Sequence, residues 1–494
     1  MEKYYQSISI STKVINWMRS PSKFKLEVFA ALKLSVPLGG IQLAEASVGF
    51  INTVMMGLLG VQSLAAGALG VITFYTLVFL CMGILEGATP LAAEAFGAGN
   101  TDRIRQIFAQ GFWLALVLSL PMMLLTWHLD SILLFLGQEK DTVALTSTYL
   151  KAIVWGFPAA VGFIIVKEMA TALNQPQLMS AIALTRIPIN IIANYVLIFG
   201  NLGLPALGLA GIGWSGTFVF WVNFLAAAAV LAFHPTFKQY KLFASLKFNK
   251  DVFGELWQSG WPLGLEYAST LFLFTLIALF SGYMGTTLLA ANEIVVQSIE
   301  LSLIVPIAVS YAAMTQVGQR MGENDPTAAK MAGFATIAIG IASISIIAIL
   351  LCLFPEQLAN IFLDTSEPDH ILAITSAIPL LKISALFLIA FGLNLIALGT
   401  LMGIQDIRLP LVINLVFQWG IGMTSGYFFC FYLNWGSIGL WLGLTIGISI
   451  STVFLIYRFY SLISEIIQKA EDEEELNRSK SIDEEQTPVL KSIS

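Results

Sequence analysis

Apolar stretches long enough to cross a bilayer core of about 30 Å recur along the whole chain, separated by short polar breaks. They fall at 33–56, 61–85, 107–127, 147–172, 178–199 and 210–233, then at 257–282, 287–314, 330–354, 371–401, 408–432 and 437–458. The longest polar loop, His234 to Glu255, divides six spans from six. The two sets are copies of one another. Residues 37–100 can be laid on residues 262–325 without a gap, so that Pro37-Leu38-Gly39 falls on Pro262-Leu263-Gly264 and Leu64-Ala65-Ala66 on Leu289-Ala290-Ala291. Gly57, Gly60 and Gly97 fall on Gly282, Gly285 and Gly322. Prolines and glycines mark helix breaks and tight turns, so their coincidence carries more weight than shared leucines. The second half of each copy repeats more loosely, with Lys151 opposite Lys382, and Gly208, Gly211 and Thr217 opposite Gly436, Gly439 and Thr445. The pattern predicts an all-α membrane protein of about twelve transmembrane helices in two pseudo-symmetric six-helix lobes with a central cleft. Residues 33–233 form the N-lobe, 234–256 a basic linker and 257–460 the C-lobe. An even number of spans gives both copies the same orientation, so their symmetry axis runs along the membrane normal. A duplicated bundle of this kind is the architecture of a secondary transporter, with its site at the repeat interface.

Composition agrees with the pattern. Apolar residues make up 57% of the chain and charged residues 11%, with a mean hydropathy of +0.80, more apolar surface than a soluble protein can bury. The net charge of −6 is concentrated at the end, where residues 465–494 hold nine acids and four bases. No basic patch with interleaved aromatics points to nucleic acid. Lys and Arg then set the orientation. Arg103, Arg105, the linker lysines 238, 241, 247 and 250, Arg320, Lys330, Arg408, Arg458 and both termini fall on one side of a twelve-span chain. The opposite loops hold Asp130, Glu139, Asp141, Glu356, Asp364, Glu367 and Asp369. The positive-inside rule places both termini in the cytoplasm. Residues 1–32 are expected as a cytoplasmic, interfacial lead-in, and 461–494 as an acidic cytoplasmic tail, disordered from about residue 469. Cys81, Cys352 and Cys430 stand singly in apolar runs and are expected as packing residues.

Several motifs resemble the multidrug and toxic compound extrusion (MATE) family, especially its bacterial NorM-like branch. Ile51-Asn52-Thr53-Val54-Met55-Met56-Gly57 resembles the first-span motif, and residues Pro90 to Gly99 (PLAAEAFGAG) the turn after the second span. Asn190 to Leu209 (NIIANYVLIFGNLGLPALGL) is the closest local match. Met284 to Gln297, Val317 to Gly322 and Gly399 to Asp406 supply the signatures of the second half. The resemblance covers roughly residues 30–460. It implies twelve helices in two lobes and outward export of organic cations or other xenobiotics against an inward Na⁺ or H⁺ gradient. The departures are equally specific. Asn52 stands where the first-span motif commonly has Asp, Thr270 where the seventh span has Glu, and Phe391 where the tenth span has Asp. Ala290-Ala291-Asn292-Glu293 replaces the loop motif AAHQ. The family's cation ligands therefore do not carry over directly.

Carboxylates inside a membrane cost about 2.5–3.5 kcal/mol each on insertion scales and mark function by default. Counting about 1.5 Å per residue, Glu45 lies mid-depth in span 1 and Glu266 mid-depth in span 7. Glu266 precedes Thr270 by one helical turn on the same face, and Glu45 is the repeat counterpart of Thr270. Glu293 and Glu300, with Gln297 between them, share one face of span 8. Asn190 and Asn194 stand one turn apart on span 5. The candidate set for ion coupling or substrate binding is therefore Glu45, Asn52, Asn190, Asn194, Glu266, Thr270, Glu293 and Glu300. For the asparagines, interhelical hydrogen bonding is the plainer expectation. A buried carboxyl group can carry a proton across, and an ionised pair can hold Na⁺ or a cationic drug. Lys167 and Glu168 are expected to snorkel at the inner end of span 4, and Glu86 and Glu94 to brace the loop after span 2.

These residues point to a secondary active multidrug exporter working by antiport with H⁺ or Na⁺ through alternating access. The alternative is a MATE-fold flippase or a dedicated exporter of a lipid-linked or metabolite substrate, which calls for a basic cleft. An enzyme is not expected. No phosphate-binding GxxxxGK[ST] is present, and Gly211 to Gly216 fits GxGxxG but opens a membrane helix with no strand before it. No cofactor or resident metal is called for beyond the coupling cation, H⁺ or Na⁺, at the residues named. The expected partners are small cationic amphiphiles and membrane lipid. A monomer in a bacterial inner membrane is the simplest setting.

Overall fold

The structure is a computed structural model and describes residues 21–362 and 368–491. Among the described residues every regular element is helical, and eleven helices are long and apolar enough to cross a membrane. The first six spans are Pro21–Leu58, Val61–Glu86 continued by Ala88–Gly97, Thr101–Trp127, Lys140–Ile153 continued through a 3₁₀ turn by Phe157–Ala172, Pro176–Phe199 and Leu209–Phe233. Spans 7 to 10 are Lys250–Tyr283, Thr286–Gly322, Pro326–Leu353 and Pro368–Gly403, and span 12 is Gly436–Lys491. The remaining predicted span, 408–432, is one helical run of mixed hydrogen bonding. Arg408–Leu415 and Thr424–Tyr427 are α-helical, whereas Val416–Met423 and Phe428–Tyr432 are π-helical. Such wide turns are rare and frequent at functional sites. Short helices, Leu129–Phe135 and Pro355–Phe362, sit at matching places between spans 3 and 4 and between spans 9 and 10.

Duplication is visible in the backbone. Gly60 and Gly285, counterparts in the repeat, turn the chain between spans 1 and 2 and between spans 7 and 8 with φ of 102° and 125°, a conformation open to glycine at no steric cost. Each lobe has its own core. Phe74, Phe157 and Phe220 pack together in the N-lobe, and Phe274, Phe387, Phe391 and Trp441 in the C-lobe.

Two departures concern the ends. Span 1 begins at Pro21, so the expected lead-in from 21 to 32 is part of the same helix, and Glu27 within it is buried against Arg320 at 2.7 Å. Residues 1–20, with Trp17, Lys13 and Arg19, lie outside the described residues, as do Asp364 and Glu367. The tail expected to be disordered from 469 is helical to Lys491. Glu, Lys, Arg and Leu are strong helix formers, and Lys469 pairs with Glu465 one turn earlier at 2.9 Å.

The lobes meet in the half of the bundle that carries the basic loops. Span 2 crosses span 7 where Gly83 meets Gly264 and Tyr267, and Gly87 meets Gly260. Span 1 meets span 8 at the matching place, with Gly39 against Ala308. A methyl group on Gly97 would overlap the carbonyl oxygen of Gln319, and one on its counterpart Gly322 would overlap that of Glu94. Ion pairs Arg103–Glu255 and Arg320–Glu27 cross the same seam. Towards the acidic loops Phe50, Leu58, Val61, Ile72, Leu279 and Tyr283 are exposed. The basic linker is strapped to span 3. Gln110 Nε2 donates to the Lys247 carbonyl at 2.8 Å, Trp113 Nε1 to that of Leu246 at 2.8 Å, and Arg105 Nε to that of Tyr240 at 3.2 Å. Asn249 N donates to Gln110 Oε1 at 3.0 Å, while the Asn249 side chain caps span 7.

Candidate functional site

In the C-lobe, Glu266 faces inward from the middle of span 7. Its Oε1 accepts from Asn414 Nδ2 of span 11 at 2.8 Å, with Gln418 one turn along beside it. Asn414 Oδ1 in turn accepts from Asn394 Nδ2 of span 10 at 3.1 Å and from Ser451 Oγ of span 12 at 2.5 Å. Four spans thus converge on one carboxyl group, and every named hydrogen-bond partner is neutral. Glu266 Oε2 and Gln418 Nε2 are both buried side by side, and neither has another hydrogen-bond partner. The π-helical stretch of span 11 starts at Val416, between Asn414 and Gln418. Thr270 lies one turn beyond Glu266. One turn further, Phe274 joins Phe387, Phe391 and Trp441, so an aromatic cluster occupies the place where the resemblance calls for a tenth-span Asp.

The corresponding region of the N-lobe has a different charge. Glu45 Oε1 lies 3.7 Å from Arg186 Nη1 of span 5, and the Arg186 guanidinium stacks 5.4 Å above Phe220. Glu45, Tyr75, Phe163, Arg186 and Asn223 border a cavity of about 40 Å³, room for a water or two. Asn194 Nδ2 donates to Asn52 Oδ1 at 2.8 Å and to Asn190 Oδ1 at 3.1 Å, which ties span 5 to span 1. Asn52 and Asn194 therefore tie the two spans together, with Asn190 bonded to Asn194 within span 5, and Asn52 stands two turns from Glu45. On span 8, Glu293 accepts from Gln297 at 3.0 Å, and Glu293 and Glu300 are both exposed. The candidates thus fall into three groups rather than one: Glu266 with Thr270, Glu45 with the asparagines, and the span-8 acids.

Sequence reasoning misplaced one set of charges and passed over another. Lys167 and Glu168 do not snorkel; they are 4% and 0% exposed. Glu86 is not a loop brace but lies in the seam between lobes, because spans 7 and 8 of the other lobe cover the inner ends of spans 2 and 4. Depth counted along one helix cannot register that cover. Arg186 was not singled out, although an arginine inside an apolar run is itself a signal of a buried partner. Asn414 and Ser451 become visible once the repeat is carried into the second half, because the offset that pairs Gly208 with Gly436 pairs Arg186 with Asn414 and Asn223 with Ser451.

A duplicated bundle of membrane-spanning helices, a cleft between its two copies and a carboxylate embedded at mid-depth define a multi-pass integral membrane transporter. The MatE family model matches the chain twice, over residues 37–196 and 262–428, starting at the two members of the repeated proline pair. The chain belongs to the MATE family. It is 36% identical over 433 residues to a probable multidrug resistance protein NorM of Synechocystis, covering 87% of this chain and 94% of that one. A probable multidrug resistance protein NorM of Synechococcus is 35% identical over 439 residues, covering 89% and 95%. Among solved structures, the eukaryotic MATE transporter AtDTX14 superposes with a TM-score of 0.80 at 17% identity, covering 91% of this chain and 99% of that one. A point mutant of the Vibrio cholerae MATE transporter VcmN gives 0.81 at 16%, covering 90% and 98%.

Proposed function

We propose that the protein is a cation-coupled exporter of organic cations and related xenobiotics, and that Glu266 is its coupling carboxylate. The observation that carries this reading is the polarity around Glu266: a carboxyl group deep in the membrane, ringed by neutral amides and a hydroxyl. Such a group is balanced by H⁺ or Na⁺ from one side of the membrane, or by a cationic substrate. Competition between ion and substrate for one negative charge gives antiport, since each displaces the other. Glu293 and Glu300 add acidic character to span 8 and favour a cationic passenger. A flippase for an anionic lipid calls for the opposite polarity. Family membership and the names of the NorM relatives agree with drug export.

In this reading both termini and the 234–256 linker face the cytoplasm of a bacterial inner membrane, and the cleft of the present conformation opens outward. The protein works as a monomer, with N-lobe 33–233 and C-lobe 257–460 rocking about the seam. Proteoliposomes loaded with ethidium test it. Export should stop when the H⁺ or the Na⁺ gradient is collapsed selectively, and that selectivity names the ion. Export that survives collapse of both gradients overturns the reading.

A further inference from the structure

Beneath the cleft, in the seam that closes the basic end, lies a second charged cluster that the transport reading does not use. Lys167 Nζ stands 3.1 Å from Glu168 Oε1 and 4.9 Å above the ring of Tyr311 from the opposite lobe. Thr89 Oγ1 donates to Glu168 Oε2 at 2.6 Å. Glu86 of span 2 faces Lys167 and Glu168 of span 4, Tyr267 of span 7 and Tyr311 of span 8. Glu45 of span 1 is the remaining charge that acts on Lys167, and it has its own partner in Arg186. The cluster therefore holds two carboxyl groups and one ammonium, all at most 9% exposed. Glu168 Oε1, on a side chain 0% exposed, has no partner of hydrogen-bonding geometry.

An unbalanced charge sealed away from water is costly. With both acids ionised, the cluster carries one negative charge in excess of its single ammonium. We infer that the Glu86–Lys167–Glu168 cluster is a second proton-binding site, filled while the lobes are closed at the basic end and emptied when the seam parts. Its tyrosine walls belong to the C-lobe and its acids to the N-lobe, so parting the lobes removes the walls and admits water from the basic side. Water solvates both carboxylates, and the proton leaves. Closing the seam takes one proton up again. Proton binding is thereby linked to lobe position rather than to substrate, so raising the pH on that side favours the parted state.

The test uses the full chain in nanodiscs, with Cys81, Cys352 and Cys430 replaced by alanine and spin labels on exposed Lys238, in the linker beside the N-lobe, and exposed Asn324 of the C-lobe. Between about pH 6 and pH 9 the parted fraction should rise at least about fivefold in the otherwise unaltered protein. Glu86→Gln, which leaves Lys167 and Glu168 as a neutral pair, should hold the fraction constant within about 1.5-fold. Glu168→Gln removes the same excess charge and should do likewise, which keeps the proposal testable if one variant folds poorly. Glu266→Gln should keep the pH response, so failure of the coupling assignment and failure of this one are distinguishable. An unchanged pH response in a folded Glu86→Gln or Glu168→Gln protein overturns the proposal, as does a seam that ignores pH but follows Na⁺ at fixed pH.

Discussion

The two lobes are built on one pattern and differ where their charges sit. In the N-lobe, span 1 carries Glu45 and span 5 carries Arg186, and the two form an ion pair at 3.7 Å. In the C-lobe the repeat places Thr270 opposite Glu45 and Asn414 opposite Arg186, while an acid appears one turn earlier as Glu266. Its partner is the Asn414 amide at 2.8 Å. The same helices thus hold a compensated carboxylate in one lobe and an uncompensated one in the other. An internal counter-ion satisfies a carboxylate for good, whereas a neutral amide leaves it dependent on something that comes and goes. Duplication supplied two scaffolds, and they differ both in where span 1 or span 7 carries its acid and in whether span 5 or span 11 faces it with Arg186 or Asn414.

Breaking that difference should have its largest effect in the C-lobe. Glu266→Gln keeps volume and hydrogen bonding but cannot ionise, so gradient-driven ethidium export in vesicles should fall about 20-fold or more, to the leak rate. Expression and thermal unfolding should change little. Glu45→Gln, assayed in the same vesicles, should lower export less than about threefold, because its charge is already spoken for. Equal losses for the two variants would erase the distinction between lobes.

The N-lobe pair should show itself in stability instead. Arg186→Asn, which copies the C-lobe residue, leaves Glu45 without its cation and should cost about 1–2 kcal/mol. That is less than the roughly 3–5 kcal/mol of a fully buried pair, because Glu45 is 37% exposed. Adding Glu45→Thr, the other C-lobe counterpart, should restore most of the loss in a double-mutant cycle read by thermal unfolding. Additive losses would show that the two side chains do not act as a pair.

Asp130 gives the smallest effect. Outside the membrane-spanning segments, it accepts from the Ser131 backbone N–H at 2.7 Å and lies 3.6 Å from Lys151, and the two together hold its carboxyl below the usual range. A lowered folded value contributes stability above the unfolded carboxylate range and loses it as pH falls through the lower one. Asp130→Asn should therefore cost a few tenths of a kcal/mol near neutral pH and nothing in strong acid, measured by unfolding at both. A cost that persists in strong acid would assign the residue a packing role.

How much of this was legible follows from what each signal depends on. Length and hydropathy of a segment depend on the bilayer alone, so the spans, the repeat and the cleft were readable from residues such as Gly60 and Gly285. Glu266 was readable because a lone acid in an apolar run is conspicuous. Its partners were not, since Asn414, Asn394 and Ser451 come from three other helices and gain meaning only through packing. Span 11 looks like any apolar run, yet half of it is π-helical, a choice of hydrogen bonding that composition does not encode. Lys167 and Glu168 misled for a related reason: distance along their own helix puts them near water, and the covering surface belongs to the other lobe.

The strap from Tyr240 to Asn249 has a mechanical consequence. A connection held to span 3 by four hydrogen bonds is no slack tether but part of the N-lobe's rigid body. Asn249 is the joint: its backbone is anchored to Gln110 while its side chain seats the first turn of span 7. Any tilt of one lobe against the other is therefore delivered to the root of the helix that carries Glu266, with the short lever from Asn249 to Glu266 as its arm. Asn249 thus fastens the linker to span 3 with its backbone and to span 7 with its side chain.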